Sequence, residues 1–323
     1  MGRKRPPPAV LIASVLLVVA PLVAPSWVLF ILTLALAKFL VVLAVALFLR
    51  RGLISFGHAL FYGVGAYTVG FAAKYFGLRE ALVLLPLGGL LGGAVAALVG
   101  LVMARYRGVF FAMLNLAFSM ILYGVLLKLY WVTGGTDGLG VGLPTFFGVV
   151  PPRGVLPMIY YYFALVVAGA VIYAVCRFVA SPLGYFLRAL LDNEIRIEYS
   201  GESVRRVIYY TYILSGALGG LAGVLAAFTV GHVVPEYSHW IQSGEFVFIA
   251  LLGGFGSVPG PLVGAIAFEF IRTYASKYAP EAWQMTLGLI MLLIILFRPG
   301  GLWTIYEALV GRFSRRSQQV ESG

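Results

Sequence analysis

Ionisable or strongly polar side chains interrupt stretches that are otherwise apolar: Lys38, Asn115, Ser119, Lys128, Glu245, Glu269 and Arg272. In a hydrocarbon-like environment each is costly, so it marks a pathway for a polar solute or a bond between helices. Asn115 and Ser119 are four apart and share one helix face. They are the first candidates to line a pathway, with an interhelical hydrogen bond as the competing role. Glu245 offers a carboxylate to the ammonium of a zwitterion. Glu269 and Arg272, three apart, are expected to pair with each other. Lys38 has no partner evident in the sequence and is expected to snorkel or to bond a neighbouring helix. Ser55 is expected to cap a helix beside His58, itself expected to be a packed polar residue.

Covalent chemistry finds no foothold. There is no G-x-x-x-x-G-K-[ST] loop to cradle phosphates and no H-E-x-x-H zinc pair. No G-x-S-x-G nucleophile elbow occurs. His58, His232 and His239 are too scattered for a ligand set, and paired intramembrane histidines for haem or quinone are lacking. The glycine-rich run 253–260 matches no nucleotide fingerprint and reads as an interrupted helix or a tight re-entrant turn. The single cysteine, Cys176, allows no intrachain disulfide and is expected to be a small buried hydrophobe.

The elements that must position these residues follow from composition. Of 323 residues, 61% are hydrophobic and 11% charged, whereas soluble domains carry roughly a quarter charged residues. A bilayer can accommodate that much apolar surface. The net charge of +11 does not point to nucleic acid, because the basic residues sit in short clusters between apolar runs. These are Arg3–Arg5, Arg50-Arg51, Arg105 with Arg107, Arg205-Arg206, and Arg312 with Arg315-Arg316, the positive-inside pattern of cytoplasmic loops. Apolar runs predict spans near 9–25, 27–49, 55–73, 81–104, 108–131, 158–178, 207–230, 243–256, 261–276 and 283–298. The fold class is therefore all-α: one transmembrane bundle over 1–323 with about 8–10 spans. The first apolar run is expected to be retained rather than cleaved as a signal peptide. With 1–8 inside, every dense basic cluster falls on one side, including 181–206 and the tail 312–323, while 74–80, 132–157, 231–242 and 277–282 fall outside. Both termini are expected to be cytoplasmic. Gly88/Gly92, Gly89/Gly93, Gly216/Gly220 and Gly219/Gly223 predict closely approaching helices.

The longest polar stretch is 181–206. Leu183, Leu187, Leu190, Leu191 and Ile195 form one helical stripe, and Arg188/Asp192 and Asp192/Arg196 are opposite charges at i, i+4. Ser181-Pro182 predicts the start and Gly201 the stop. Such a helix lies on a membrane or docks into a protein. Its four acids and four bases from Arg188 to Arg206 favour the protein, since a membrane-surface helix is rich in Lys and Arg.

Several blocks together resemble the permease subunits of branched-chain amino acid ABC importers, of the LivM type. They are SFGHALFYGVGAYT (55–68), RGVFFAMLNLAFSMILY (107–123), TGGTDGLGV (133–141), SPLGYFLRALLDNEIRIEYSGESVRRV (181–207), SGALGGLAGVLAA (215–227), IALLGGFGSVPGPLVGA (249–265) and FRPGGLW (297–303). The resemblance covers most of the chain beyond the first span. It implies an importer with a second, LivH-type permease, two separate ATPase subunits that use the ATP, and an extracytoplasmic solute-binding protein. No cofactor is expected on this chain. The resemblance makes 181–206 the segment that touches an ATPase, with Gly184, Arg188, Asp192, Asn193, Glu194 and Arg196 as coupling residues. Thr136 and Asp137 in the outer loop are expected to meet the binding protein, to shape the entrance, or only to form a turn. Asn115 stands where relatives often carry Thr, and the Pro-rich loop 143–157 is idiosyncratic. The alternatives are a related permease for urea or short amides, a self-contained secondary transporter or channel, and an intramembrane enzyme. A self-contained carrier would need charged relays in several helices and no docking helix; the enzyme would need a catalytic set.

Overall fold

A computed structural model describes residues 8–190, 194–297 and 300–304. Helices α1 (Pro8–Val23), α2 (Ser26–Leu49), α3 (His58–Phe76), α4 (Ala81–Met103) and α5 (Gly108–Lys128) come first, followed by the single turn α6 (Tyr130–Thr133) and the short strand β1 (Leu139–Gly140). Next are α7 (Leu156–Val179), the short α8 (Pro182–Ala189) and α9 (Glu194–Tyr199), and the long α10 (Val204–Val230). Strand β2 (His232–Val233), α11 (Trp240–Gly253), α12 (Gly260–Tyr278) and α13 (Trp283–Phe297) complete the order. Among the described residues five helices, α2, α4, α5, α7 and α10, are long and apolar enough to cross a membrane. The chain is an all-α membrane helix bundle.

Helix α2 is apolar around its whole circumference, and its residues from Ala35 to Phe48 are all buried. A helix of that kind belongs inside a bundle, and α2 is ringed by α7, α10, α11 and α12. Helices α4 and α10 meet through glycine. A Cβ on Gly92 would lie 2.5 Å from the Gly216 carbonyl, and a Cβ on Gly220 would run into the Gly88 carbonyl. Helix α3 closes on the same ridge, where Gly65 faces the Gly220 carbonyl and Gly223 the Tyr62 carbonyl. The predicted small-residue contacts are thus real backbone approaches, as membrane helices use in place of a hydrophobic driving force.

The two ends of the bundle differ. At one end, Arg50 donates to the Phe255 carbonyl, Arg205 donates to the Leu101 carbonyl, and α8 packs against α7 and α10. This is the basic end. At the far end β1 pairs with β2, Lys74 and Tyr75 donate to the Val132 carbonyl, and Tyr161 donates to the Leu17 carbonyl of α1. Glu80 ties the loop 143–157 to the start of α4. Its carboxylate accepts from the Gly148 and Phe147 amides and the Thr145 hydroxyl. Those donors, the Gly148 amide foremost, hold its pKa below the ordinary carboxylate value.

The expectations for Cys176 and Lys128 change. Within 181–206 the described residues hold the short helices α8 and α9, and residues 191–193 between them lie outside the described residues. Leu187, Leu190 and Ile197 are buried against the bundle. Asp192 and Asn193 lie outside the described residues, as do the side chains of Glu194 and Arg196. The Ser181 cap holds, accepting from the Gly184 amide at 3.3 Å, and Gly201, at φ +87°, follows the end of α9. Cys176 is exposed on the outer face of α7, where an apolar thiol suits lipid as well as a core. Lys128 is the last residue of α5 and exposed, so it is no intramembrane charge.

Replacing Gly220 by Val should cost about 3 kcal/mol through overpacking against backbone that has no side chain to move aside; thermal unfolding in detergent would show it as a lowered midpoint. The Glu80 contribution exists above its ordinary pKa of about 4.3 and is lost as pH falls through the lower folded value. Amide protection at Phe147 and Gly148 should therefore fall below about pH 4, while protection along α10 stays unchanged, as hydrogen exchange would report.

Candidate functional site

Helix α11 has 14 residues, about 21 Å of rise, against a hydrocarbon core of about 30 Å. It is short because it begins inside the bundle. Gly231, at φ +76°, turns the chain at the far end of α10, and residues 232–239 run back inward. Ser238 is fully buried, and its carbonyl accepts from Ser119 Oγ at 2.7 Å, halfway along α5. Gly63 leaves room for Ser238 beside α3, since a Cβ there would meet Ser238 Oγ. Further down, Ser243 Oγ accepts from the Ala59 amide at the basic end of α3. The expectation that 231–242 lies wholly outside is therefore corrected: it is a re-entrant segment. Its polar backbone is tolerated at that depth because protein surrounds it.

The inward start of α11 brings Glu245 to Lys38, which lies halfway along α2. Lys38 Nζ is 3.2 Å from Glu245 Oε2 and 2.6 Å from Glu269 Oε1. Arg272 Nη1 is also 3.2 Å from Glu245 Oε2, and Gln242 Nε2 donates to the same oxygen at 3.0 Å. Lys38 further lies over the Phe268 ring, and Arg272 over Trp283. Lys38 takes the second of its two expected roles and bonds neighbouring helices, α11 and α12. One correction follows. Glu269 and Arg272 do not pair with each other; each crosses to another helix, because Lys38 needs Glu269 and Glu245 takes Arg272. Two cations and two carboxylates give a cluster of zero net charge. Lys38 and Glu269 are almost wholly buried, with side chains 2% and 4% exposed, whereas 34% of Arg272 is exposed.

Asn115 and Ser119 share one face of α5, as their spacing requires, and that face is turned inward. Asn115 Oδ1 accepts from the Tyr212 hydroxyl of α10 at 2.5 Å, and its Nδ2 donates to the Phe111 carbonyl at 2.8 Å. Gly57 lies directly against the Asn115 backbone. Both side chains thus hold helices and the re-entrant segment together. His58 is buried and bonded through Nδ1 to Ser55 Oγ at 2.9 Å; Ser55 serves this histidine and not the helix start, where Gly57 is the N-cap. Thr136 and Asp137 are exposed at the far end. Asp137 accepts from the Tyr130 hydroxyl at 3.1 Å, and its carbonyl is 2.8 Å from His232 Nε2, which joins the loop after α5 to the turn after α10. Sequence reasoning missed Gln242, Ser238 and Tyr212. Gln242 and Ser238 fall in a stretch that hydropathy assigns to a loop, and Tyr212 is one aromatic among many. Among the described residues no His, Cys, Asp and Glu group could hold a metal ion.

A family model described as "Branched-chain amino acid transport system / permease component" matches residues 27–296, and so covers the charged cluster, α8 and the re-entrant segment alike. The chain belongs to this permease family. The high-affinity branched-chain amino acid transport system permease protein LivM of Escherichia coli is 30% identical over 272 residues, 78% of this chain and 64% of that protein. LivH of the same organism is 26% identical over 123 residues, 38% of this chain and 40% of LivH. BraD of Pseudomonas aeruginosa is 25% identical over 158 residues, 48% of this chain and 51% of BraD. The chain thus spans somewhat less than two thirds of the length of LivM. No solved structure matches it.

Lys38→Met should be strongly destabilising, by about 3–5 kcal/mol, because it strands a buried carboxylate. Adding Glu269→Gln should recover most of that loss, leaving Glu245 with Arg272. A double-mutant cycle on thermal unfolding in detergent checks the coupling; additive single effects would contradict it.

Proposed function

We propose that this chain is the membrane permease subunit of an ABC importer for branched-chain, hydrophobic amino acids. It works with a second, related permease, two ATPase subunits that bind and hydrolyse the ATP, and an extracytoplasmic solute-binding protein. Both termini and the basic end face the cytoplasm, following the positive-inside bias. The chain carries the pathway and contributes no catalytic residue.

The observation that carries the ATPase part is the platform formed by α8. Gly184, Leu187 and Leu190 are buried against the bundle, while Tyr185 and Arg188 point away from it. Gly184 is required there because a Cβ on it would run into the carbonyls of Phe178 and Val179. An aromatic and an arginine on a rigid, membrane-proximal helix make an anchor for a protein partner. Residues 191–196, with Asp192, Asn193, Glu194 and Arg196, complete the contact in this reading. Closure of the ATPases would press on α8 and bias the bundle between two arrangements, a coupling between separate sites. At the far end, exposed Thr136 and Asp137 meet the binding protein. Asn115 and Ser119 shape the pathway by fixing α10 and the re-entrant segment, and Glu245 belongs to the charged cluster beside it.

Co-purification with candidate ATPase subunits tests this reading. Tyr185→Ala/Arg188→Glu should lower ATPase recovery about tenfold, as loss of two anchor residues does. Thermal stability should move by no more than about 0.5 kcal/mol, as for other surface changes. If wild type recovers no ATPase and the chain alone carries leucine on an ion gradient, it is a self-contained carrier instead.

A further inference from the structure

A cavity of about 460 Å³ lies beside the charged cluster, between α2, α3, α10, α11, α12 and the re-entrant segment. Its upper wall is apolar, formed by Phe30, Ile31 and Leu34 from the first turns of α2 and by Val230 at the end of α10. Its floor is Lys38, Gln242, Glu269 and Arg272, and the hydroxyl-bearing Tyr62, Tyr237, Thr273 and Ser276 complete the lining. The apolar lining belongs to the far-end halves of these helices, so the cavity faces away from Arg50, α8 and the basic loops. An apolar wall above a floor of mixed charge is the shape of a site for an amphiphile with both signs of charge.

The cluster is not closed on itself. Glu245 Oε2 is saturated, with three donors from Lys38, Gln242 and Arg272. Glu269 Oε1 is buried against Lys38 Nζ at 2.6 Å, and the rest of the Glu269 carboxylate is part of the cavity lining. A third of the Arg272 side chain remains accessible, and the guanidinium has more donors than the one spent on Glu245. The floor therefore offers donors for a carboxylate and an acceptor for an ammonium. Its net charge is zero, so a zwitterion binds without leaving charge uncompensated at mid-depth, whereas a ligand with only one charge would.

We propose that this cavity is a binding station for the zwitterionic head group of an α-amino acid. Arg272 receives the carboxylate and Glu269 the ammonium, and the side chain lies against Phe30, Ile31 and Leu34. Selection here is for the paired charges more than for the branching of the side chain, because the apolar wall is broad and offers no hydrogen bond. The inference deepens the permease reading, and rests on it for the identity of the solute.

The test uses the purified full-length chain in detergent, with unfolding followed against added ligand. A ligand that binds only the folded state raises the midpoint. Millimolar L-leucine should raise it; leucinamide, without the carboxylate, and 4-methylpentanoate, without the ammonium, should not. Arg272→Gln should weaken leucine binding about tenfold or more, the loss of one charged hydrogen bond. Arg272→Lys should keep most of the response. Leu34→Trp, which fills the cavity from its apolar wall and touches no charge, should abolish it. The proposal is overturned if wild type does not respond to leucine, if leucinamide shifts it equally, or if Arg272→Gln and Leu34→Trp respond like wild type. The assembled importer in proteoliposomes separates the two readings. Leucine binding without ATP-driven leucine uptake would remove the permease reading and leave the site standing.

Discussion

A lysine halfway along a buried apolar helix is the constraint on which much of this molecule depends. Lys38 is almost wholly buried in the bundle, so its charge must be met by carboxylates at the same depth. Glu269 supplies one from the middle of α12. Glu245 supplies the other only because α11 starts inside the bundle, and α11 can start there only if the chain turns back after α10. That return brings a non-helical backbone to mid-depth, where it needs partners. Ser119 provides one for the Ser238 carbonyl, and the missing side chain of Gly63 provides the space. One buried cation thus accounts for a half-length helix, a re-entrant segment, a hydroxyl on α5 and a glycine on α3.

The limits of the sequence reading follow from the same facts. Ten apolar runs were legible, and each became a helix within a few residues of its expected bounds, because length and apolarity alone define a span. The glycine contacts were legible too, since small residues four apart have few other uses in lipid. Pairing across helices was not. Lys38 and Glu245 are 207 residues apart, and no local rule connects them, whereas Glu269 and Arg272, three apart, invite a local pairing that the bundle overrides. The inward return was hidden because a polar stretch between two apolar runs has the same hydropathy whether it lies outside the membrane or folds back into the protein. For Asn115 and Ser119 the shared face was correct. Which neighbour it would meet depended on Tyr212 and Ser238, which sequence spacing cannot place.

Between α11 and α12 the glycines do a different job from those of α4 and α10. A Cβ on Gly253 would collide with the Gly260 carbonyl, and one on Gly264 with the Ile249 carbonyl. Gly254, at φ +94°, turns the chain, and a Cβ on it would lie 2.5 Å from the Gly300 carbonyl. The two helices are therefore joined at the basic end with no side chain between their backbones. At mid-depth they are joined again through Glu245 and Arg272. Two contacts at different heights fix their mutual angle, so α11 and α12 behave as one rigid hairpin.

That hairpin is flanked by open space. One side carries the polar cavity, and the other a largely apolar cavity of about 450 Å³ lined by Phe268, Trp283, Leu287 and Met291. Its links to α2 are the two ion pairs of Lys38 and the close packing around them. A cluster of this kind is a weak source of stability, because desolvation offsets much of the Coulomb attraction. An apolar core in its place would hold α2 against the hairpin equally well. What the charges add is selectivity of position: a rigid hairpin that slid along α2 would strand Lys38 in an apolar wall, so only registers that return a carboxylate to it are low in energy. The buried cation therefore sets discrete positions for α11 and α12, and it does so beside the cavity where polar groups remain free for a solute.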